Sequence, residues 1–296
     1  MTLSCSVRRG KVDLNGVGIY YEETGEGFPL VFAHELAGNT ESWKAQVSYF
    51  SRRYRVITYN ARGYPPSDVP DKLDDYSQEQ VVEDLYLLLQ HLGIKQAHIG
   101  GLSMGGNMTL FFGLRHPEMA RSLIVAGAGT GSTDSAMFKQ QSEAYAAQLE
   151  ADGTAGFGDY LMGPTRARFK QKDPTGWAEF ARLFSEHSAI GKALTLRGYQ
   201  ARRPSVLTLE AELKALQVPT LIILGDEDDP CLEPALFMKR NIPRSGLVVV
   251  PQTGHAVNLE EPETFNRSIS DFLTAVDAEK WEARTSGSGV GFGVKS

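Results

Sequence analysis

Gly101-Leu102-Ser103-Met104-Gly105-Gly106 sits between an apolar run, Ala97-His98-Ile99-Gly100, and a helix-length stretch from Met104 to about His116, which Pro117 ends. A strand, a tight turn and a helix are the expected conformations, with Ser103 on the turn. Residues two before and two after such a serine must be small, because larger side chains would collide across the turn. The turn lifts the Ser103 hydroxyl clear of the sheet. It also aims the backbone N–H of Met104, at the helix start, towards an oxygen that becomes negative. A small-residue turn that only packs a helix on a sheet would look alike in isolation; the flanking strand and helix favour a nucleophile.

The alternation extends both ways. Pro29-Leu30-Val31-Phe32-Ala33, Tyr54–Tyr59, Ser122–Ala126, Pro219–Leu224 and Leu247–Val250 read as buried strands. Between Ser77 and Leu92 the apolar residues Val81, Val82, Leu85, Leu88 and Leu89 recur at helical spacing, and Gly93 supplies a stop. Further helices are expected near Glu233–Asn241 and from Glu261 to Val276. Strands alternating with helices imply an α/β architecture, with a mainly parallel central sheet flanked by helices. We expect residues 11–132 and 208–280 to form this core. Residues 133–207, helical in pattern and without a clear buried strand, form an inserted helical cap. Val12–Tyr21, centred on Asn15-Gly16, reads as an edge hairpin. Residues 281–296, rich in glycine and serine from Thr285 onwards, are expected to be a disordered tail.

Across 296 residues, 30 basic side chains face 36 acidic ones, a formal charge of −6, and no basic stripe interrupts that balance. This argues against nucleic acid or an anionic membrane as a partner. Two distant cysteines, Cys5 and Cys231, do not make a disulfide framework. No apolar run reaches eighteen residues, and Met1–Lys11 carries Arg8 and Arg9 without an apolar stretch behind them. A cytoplasmic protein acting on a small molecule is the expectation.

Serine is a weak nucleophile and needs a base within hydrogen-bond reach. Six histidines permit elimination. His91, His98 and His116 fall on helix or strand ends as structural residues, His187 lies in the cap, and His34 ends an early strand. His255 remains, in Thr253-Gly254-His255, after the strand Leu247–Val250, in a loop at the carboxyl edge of the sheet where α/β sites assemble. A third group should orient the imidazole. Gly225-Asp226-Glu227-Asp228-Asp229-Pro230 leaves a buried strand at the same edge, but spacing does not say which of its four carboxylates faces His255.

The chain order Ser, Asp, His, the serine turn, the strand alternation and the late cap together resemble the α/β-hydrolase superfamily over about residues 12–278. Leu224-Gly225-Asp226-Glu227-Asp228 resembles that family's Gly-x-x-Asp acid loop, and the likeness assigns the triad acid to Asp228. Gly254-His255, with Asn258-Leu259-Glu260 and Pro262, resembles its histidine loop. Asn60-Ala61-Arg62-Gly63-Tyr64 resembles its Asp-x-Arg-Gly turn, with Asn60 in place of the aspartate and Pro65 in place of a later glycine. His34-Glu35-Leu36-Ala37-Gly38 resembles a His-Gly-x segment whose third N–H is an oxyanion donor. That puts the donor at Leu36, with Glu35 in place of the glycine. A carboxylate there opposes a developing oxyanion. Glu35 is therefore expected to turn away and brace the loop, held by a donor such as a backbone N–H or Arg62.

The resemblance implies acyl transfer: Ser103 attacks, His255 carries the proton, Asp228 steadies it, and the amides of Met104 and Leu36 hold the oxyanion. Serine at the turn, where aspartate would suggest dehalogenase or epoxide chemistry, implies an esterase or lactonase. The sequence has neither zinc-ligand spacing nor a Gly-rich phosphate loop, so no metal or cofactor is expected. Alternatives are carbon–carbon bond hydrolysis of a dienoic diketone, a perhydrolase-type activity, or a binding protein that has kept only the fold. Phe157, Tyr160, Leu161, Met162, Trp177, Phe180 and Phe184 are the large apolar cap residues. Most should pack the cap on itself, and some tolerance for hydrophobic substrate groups follows.

Overall fold

The structure, a computed structural model, describes residues 6–154, 158 and 163–284. Eight strands form one sheet: β1 Arg8–Leu14, β2 Val17–Thr24, β3 Phe28–Ala33, β4 Tyr54–Tyr59, β5 Ala97–Leu102, β6 Ala120–Ala126, β7 Thr220–Gly225 and β8 Ser245–Val250. Their spatial order is β1-β2-β4-β3-β5-β6-β7-β8. Only the β1–β2 and β2–β4 pairings are antiparallel; the rest are parallel. The edge hairpin turns at Asn15 (φ +54°) and Gly16 (φ +84°), the two positive φ angles that a tight two-residue hairpin turn requires. It is longer than expected, because β1 starts at Arg8.

Helices α1 Lys44–Phe50, α2 Gln78–His91, α3 Met104–Arg115, α4 Ser135–Asp152, α5 Pro164–Lys172, α6 Pro174–Glu186, α7 Ala189–Leu194, α8 Glu210–Ala215, α9 Asp229–Asn241, α10 Val257–Glu260 and α11 Pro262–Asp277 follow in chain order among the described residues. The period-2 alternation of the strands divides the core. Val31, Ile99, Leu123, Val125, Ile222 and Leu224 pack with α2, α3 and α9. Leu30, Phe32, Ile124, Leu221 and Ile223 point the other way, to Trp43, Phe50 and α11. Burial on both faces is what makes these strands continuous apolar runs.

α2 is capped by Ser77, whose hydroxyl accepts from Gln80 N–H, and the chain leaves it through Gly93 at φ +68°. α9 begins four residues before the expected Glu233. Pro230 falls in its first turn, where an N–H has no intrahelical partner to lose. Helices α4 to α7 all lie between β6 and β7, and a π-helical turn, Thr195–Gln200, continues α7. Of the expected tail, residues 281–284 are held against the body. Trp281 packs edge-on against Phe272 and donates its indole N–H to Arg244 O at 2.8 Å, and Arg284 N–H bonds Pro243 O at 2.9 Å. Residues 285–296 and Cys5 lie outside the described residues, as do Phe157, Tyr160, Leu161 and Met162. No helix among the described residues is long and apolar enough to cross a membrane.

Candidate active site

The carboxyl ends of β3, β5, β7 and β8 bring four loops to one edge of the sheet. Ser103 follows β5 with φ +56° and ψ −111°, a backbone region that a residue with a Cβ enters only under strain. The neighbouring glycines make it possible. A Cβ on Gly101 would stand 2.3 Å from Gly105 O, one on Gly105 2.1 Å from Ala33 O, and one on Gly106 2.5 Å from Ala126 O. Turn, strand and helix touch backbone to backbone, which is why this stretch of sequence decides the fold.

Ser103 Oγ lies 2.8 Å from His255 Nε2, and His255 Nδ1 lies 2.8 Å from Asp228 Oδ2. With Nδ1–H donated to the carboxylate, Nε2 is left to accept the serine proton. Asp228 is 1% exposed and His255 5%. The other three acids of the loop have separate tasks. Asp226 Oδ1 accepts from Thr253 N–H at 3.1 Å, Glu227 pairs with Arg168, and Asp229 opens α9. Asp228, Cys231 and His255 also offer donor atoms within 4.8 Å of one another. They fit a metal poorly, because Nδ1 and the carboxylate are bonded to each other and burial pushes the Cys231 thiol up, away from the thiolate that would bind one.

The histidine loop is fastened to α5. His255 N–H donates to Thr165 O at 2.8 Å, and Gly254 N–H donates to Glu260 Oε2 at 2.9 Å. Lys172, at the end of α5, reaches both Glu260 (3.3 Å) and Glu261 (2.6 Å). Burial raises the Glu260 carboxyl above its usual range, against the opposing pull of the Gly254 amide and Lys172.

Met104 is the first residue of α3, so its N–H has no intrahelical acceptor. Met104 lines a small void together with His34 and Tyr199. Leu36 lines the pocket that contains Ser103, Asp228 and His255. It belongs to a turn closed by Gly38 N–H to Glu35 O at 2.9 Å, with Ala37 at φ +61°. His34 anchors this turn: Nδ1–H donates to Glu35 O at 2.7 Å, while Nε2 accepts from Ala61 N–H at 3.0 Å. Burial lowers its pKa to about 4, which keeps the imidazole in that neutral tautomer.

Glu35 turns away from the pocket, but not to Arg62. Arg62 is committed to a buried pair with Asp84 (2.6 and 2.7 Å), whereas Glu35 Oε1 accepts from Ser42 Oγ at 3.0 Å. Glu35 is 2% exposed, so it is not a solvated surface acid either, and burial raises its carboxyl above the usual range. It lines a separate cavity of about 220 Å³ together with Phe169 and Phe180. Asn60, in place of an aspartate, accepts from Thr40 N–H and donates to Pro65 O, a pair of bonds that an ionised carboxylate could not make.

The site pocket measures about 190 Å³. Phe138 and Tyr145 of α4, Thr165 and Arg166 of α5, and Leu196, Gln200 and Arg203 line it opposite Ser103. None of these was singled out from sequence, and no motif marks them. Trp177, Phe180 and Phe184 instead pack on one another, with ring centroids 5.6 and 6.0 Å apart. A larger depression, about 910 Å³, lies at the amino ends of β5–β8, on the edge opposite Ser103.

Residues 29–262 match the alpha/beta hydrolase fold. The chain is 27% identical to 3-oxoadipate enol-lactonase 1 of Acinetobacter baylyi over 253 residues, covering 83% of this chain and 89% of that one. It is 28% identical to 2-hydroxymuconate semialdehyde hydrolase of Pseudomonas putida over 269 residues, covering 86% and 90%. The solved structure of a thermophilic esterase from Thermogutta terrifontis, with malate bound, superposes with a TM-score of 0.80 at 28% identity, covering 91% of this chain and 99% of that one.

Proposed function

The chain belongs to the alpha/beta hydrolase fold family, and on that premise we propose that it is a serine hydrolase cleaving carboxylic esters or lactones through an acyl-enzyme intermediate. The observation that carries this reading is the unbroken line from Asp228 through His255 to Ser103, both links 2.8 Å long. Ser103 Oγ attacks the carbonyl carbon as its proton passes to His255 Nε2. Asp228 holds the opposite ring nitrogen and stabilises the imidazolium. The tetrahedral oxyanion rests on the amides of Met104 and Leu36. His255 then protonates the leaving alcohol, and afterwards takes a proton from the water that releases the acid. Each step runs on side chains and amides of this chain, with a small molecule as the partner. Residues 133–207 act as the cap over it.

The likeness to an enol-lactonase and to an esterase supports oxygen-linked substrates. The likeness to the semialdehyde hydrolase favours a second reading, carbon–carbon bond hydrolysis, in which His255 returns its proton to carbon. A graded series of nitrophenyl esters, lactones and a dienoic diketone separates the two. We expect ester or lactone turnover, labelling of Ser103 by a phosphonate, and a loss on the order of 10⁶ in Ser103→Ala with the fold intact. Labelling at another serine, or substantial turnover by the alanine variant, would overturn the assignment. Cleavage of the diketone alone would select the second reading.

A further inference from the structure

We propose that Asn258 is a positioning residue, tying the loop of the base His255 to the loop of the oxyanion amide Leu36 through a bridge at Ser42. The proposal rests on the reading of Ser103 as the nucleophile, with His255 and Leu36 in those roles.

Two closed loops meet at Ser42. On one side Glu35 precedes Leu36, and Gly38 N–H bonds Glu35 O at 2.9 Å, closing the turn that carries the amide. On the other side Asn258 lies on α10, three residues beyond His255. Leu259 and Glu260 N–H both bond Ala256 O, at 2.9 and 2.8 Å, and Glu260 Oε2 reaches back to Gly254 N–H at 2.9 Å. His255 is enclosed between these bonds, so a displacement of α10 carries it along.

Ser42 stands in the turn Thr40–Trp43 that enters α1. Its hydroxyl donates to Glu35 Oε1 at 3.0 Å, and its carbonyl accepts from Asn258 Nδ2 at 2.9 Å. The neighbours fix both directions. Asn39 N–H, 3.3 Å from the same hydroxyl, can only donate, so Ser42 Oγ accepts there and gives its own hydrogen to Glu35. A carbonyl can only accept, so the amide nitrogen of Asn258 faces Ser42 O. Gln46, one turn further along the chain, adds a second hold: its Nε2 donates to Asn258 O at 3.1 Å and to Asn266 Oδ1 at 3.0 Å.

Glu35, Ser42, Gln46 and Asn258 are all buried. A hydrogen bond shielded from water adds little net stability but enforces geometry, because a partner that moves away leaves a desolvated group unpaired. Acyl transfer needs hydroxyl, base and oxyanion amides held together to within about 0.5 Å. Ser103 and Met104 are joined by one peptide bond. Leu36 and His255 come from opposite ends of the chain, and the Ser42 bridge gives them a common reference. Neither Ser42 nor Asn258 lines the pocket of Ser103, so both act through the loops they join.

The test uses the full chain and a nitrophenyl ester, with active enzyme counted by titrating Ser103 with a phosphonate. Asn258→Ala removes the donor to Ser42, and Ser42→Ala removes the donor to Glu35. We expect each to lower kcat per titrated site about tenfold, short of the roughly hundredfold cost of a 1 Å misplacement. KM should change by less than about twofold, since the pocket walls are untouched. The double variant should fall less than about twofold below the weaker single one, because either cut severs the same path. A boronic acid that forms a tetrahedral adduct on Ser103 should bind each variant about tenfold more weakly, as it uses base and amide together. Ser42→Ala, which deletes one oxygen atom, carries the test if Asn258→Ala fails to fold. Unchanged kcat per titrated site, even with a lower melting temperature, would reduce the bridge to packing and overturn the proposal. Losses that multiply in the double variant overturn it too, since the two residues would then act separately. Both results leave the esterase reading standing. If the phosphonate leaves Ser103 of the wild type unlabelled, the nucleophile assignment fails and the bridge falls with it.

Discussion

Glu35 has the least expected surroundings of any residue near the site. Its carboxyl folds back over Gly38, where a Cβ would stand 2.5 Å from Glu35 Cδ, so glycine at 38 is what admits a glutamate at 35. Ser42 donates to it from the turn that enters α1. Its neighbour Ala37, held at φ +61°, stores strain of about 1–3 kcal/mol in the same turn. The combination fits a brace for the loop that carries Leu36. Glu35→Gln keeps an acceptor for Ser42, so ester hydrolysis should fall by less than about tenfold, well short of the 10²–10³ loss of a missing oxyanion donor. A kcat loss approaching that of Ser103→Ala, with an unchanged melting temperature, would instead make Glu35 a participant in the chemistry.

At the scale of elements, the contact between α5 and the histidine loop holds His255, the proposed base. Gly254 is the tight point, because a Cβ there would stand 2.1 Å from Thr165 O, a backbone atom that yields only if the helix moves. Gly254→Ala should push α5 away and break the bond from His255 N–H to Thr165 O. We expect kcat to drop about tenfold or more, while stability falls by about 1–3 kcal/mol, the usual cost of overpacking. Kinetics and thermal melts on the same preparation check this; unchanged kcat would show that the helix does not position the base. The Lys172 contacts with Glu260 and Glu261 reinforce the same junction from the other end of α5.

For the whole molecule, three buried histidines make stability depend on pH. Burial lowers His34 and His98 to about 4 and His187 to about 3, against an unfolded value near 6.5. His98 feels Asp277 as well, at 3.2 Å, but desolvation outweighs it. Between the two values the unfolded chain binds protons that the native one refuses, so stability rises with pH there. Their contribution is intact above about pH 6.5 and is lost as acid carries each group down towards its folded value. Melting temperature should hold from pH 8 to 7 and decline progressively from about 6.5 to 4; a flat profile across that window would show that the three rings are not buried neutral.

The Ser103 turn, the strands of the sheet and helices α2, α3 and α11 were legible because their causes are local. Glycine at 101 answers a backbone clash with Gly105 O four residues on, and strand and helix periodicities repeat within a single segment. The short helices α1, α8 and α10 left no comparable trace, since four to seven residues hold too little period to read. Of the site, Ser103 and His255 could be reached by position along the chain. Asp228 needed a family likeness, because four adjacent carboxylates are chemically alike until the fold gives Asp226 to Thr253, Glu227 to Arg168 and Asp228 to His255. Only the tertiary structure decided the partner of Glu35 and the lining of the pocket. Arg166 and Arg203 stand thirty-seven positions apart on different segments, with no spacing to join them. Local sterics act through neighbouring bonds and so are written in short stretches of sequence. Convergence of side chains from distant segments depends on how those segments pack, and no single stretch contains that information.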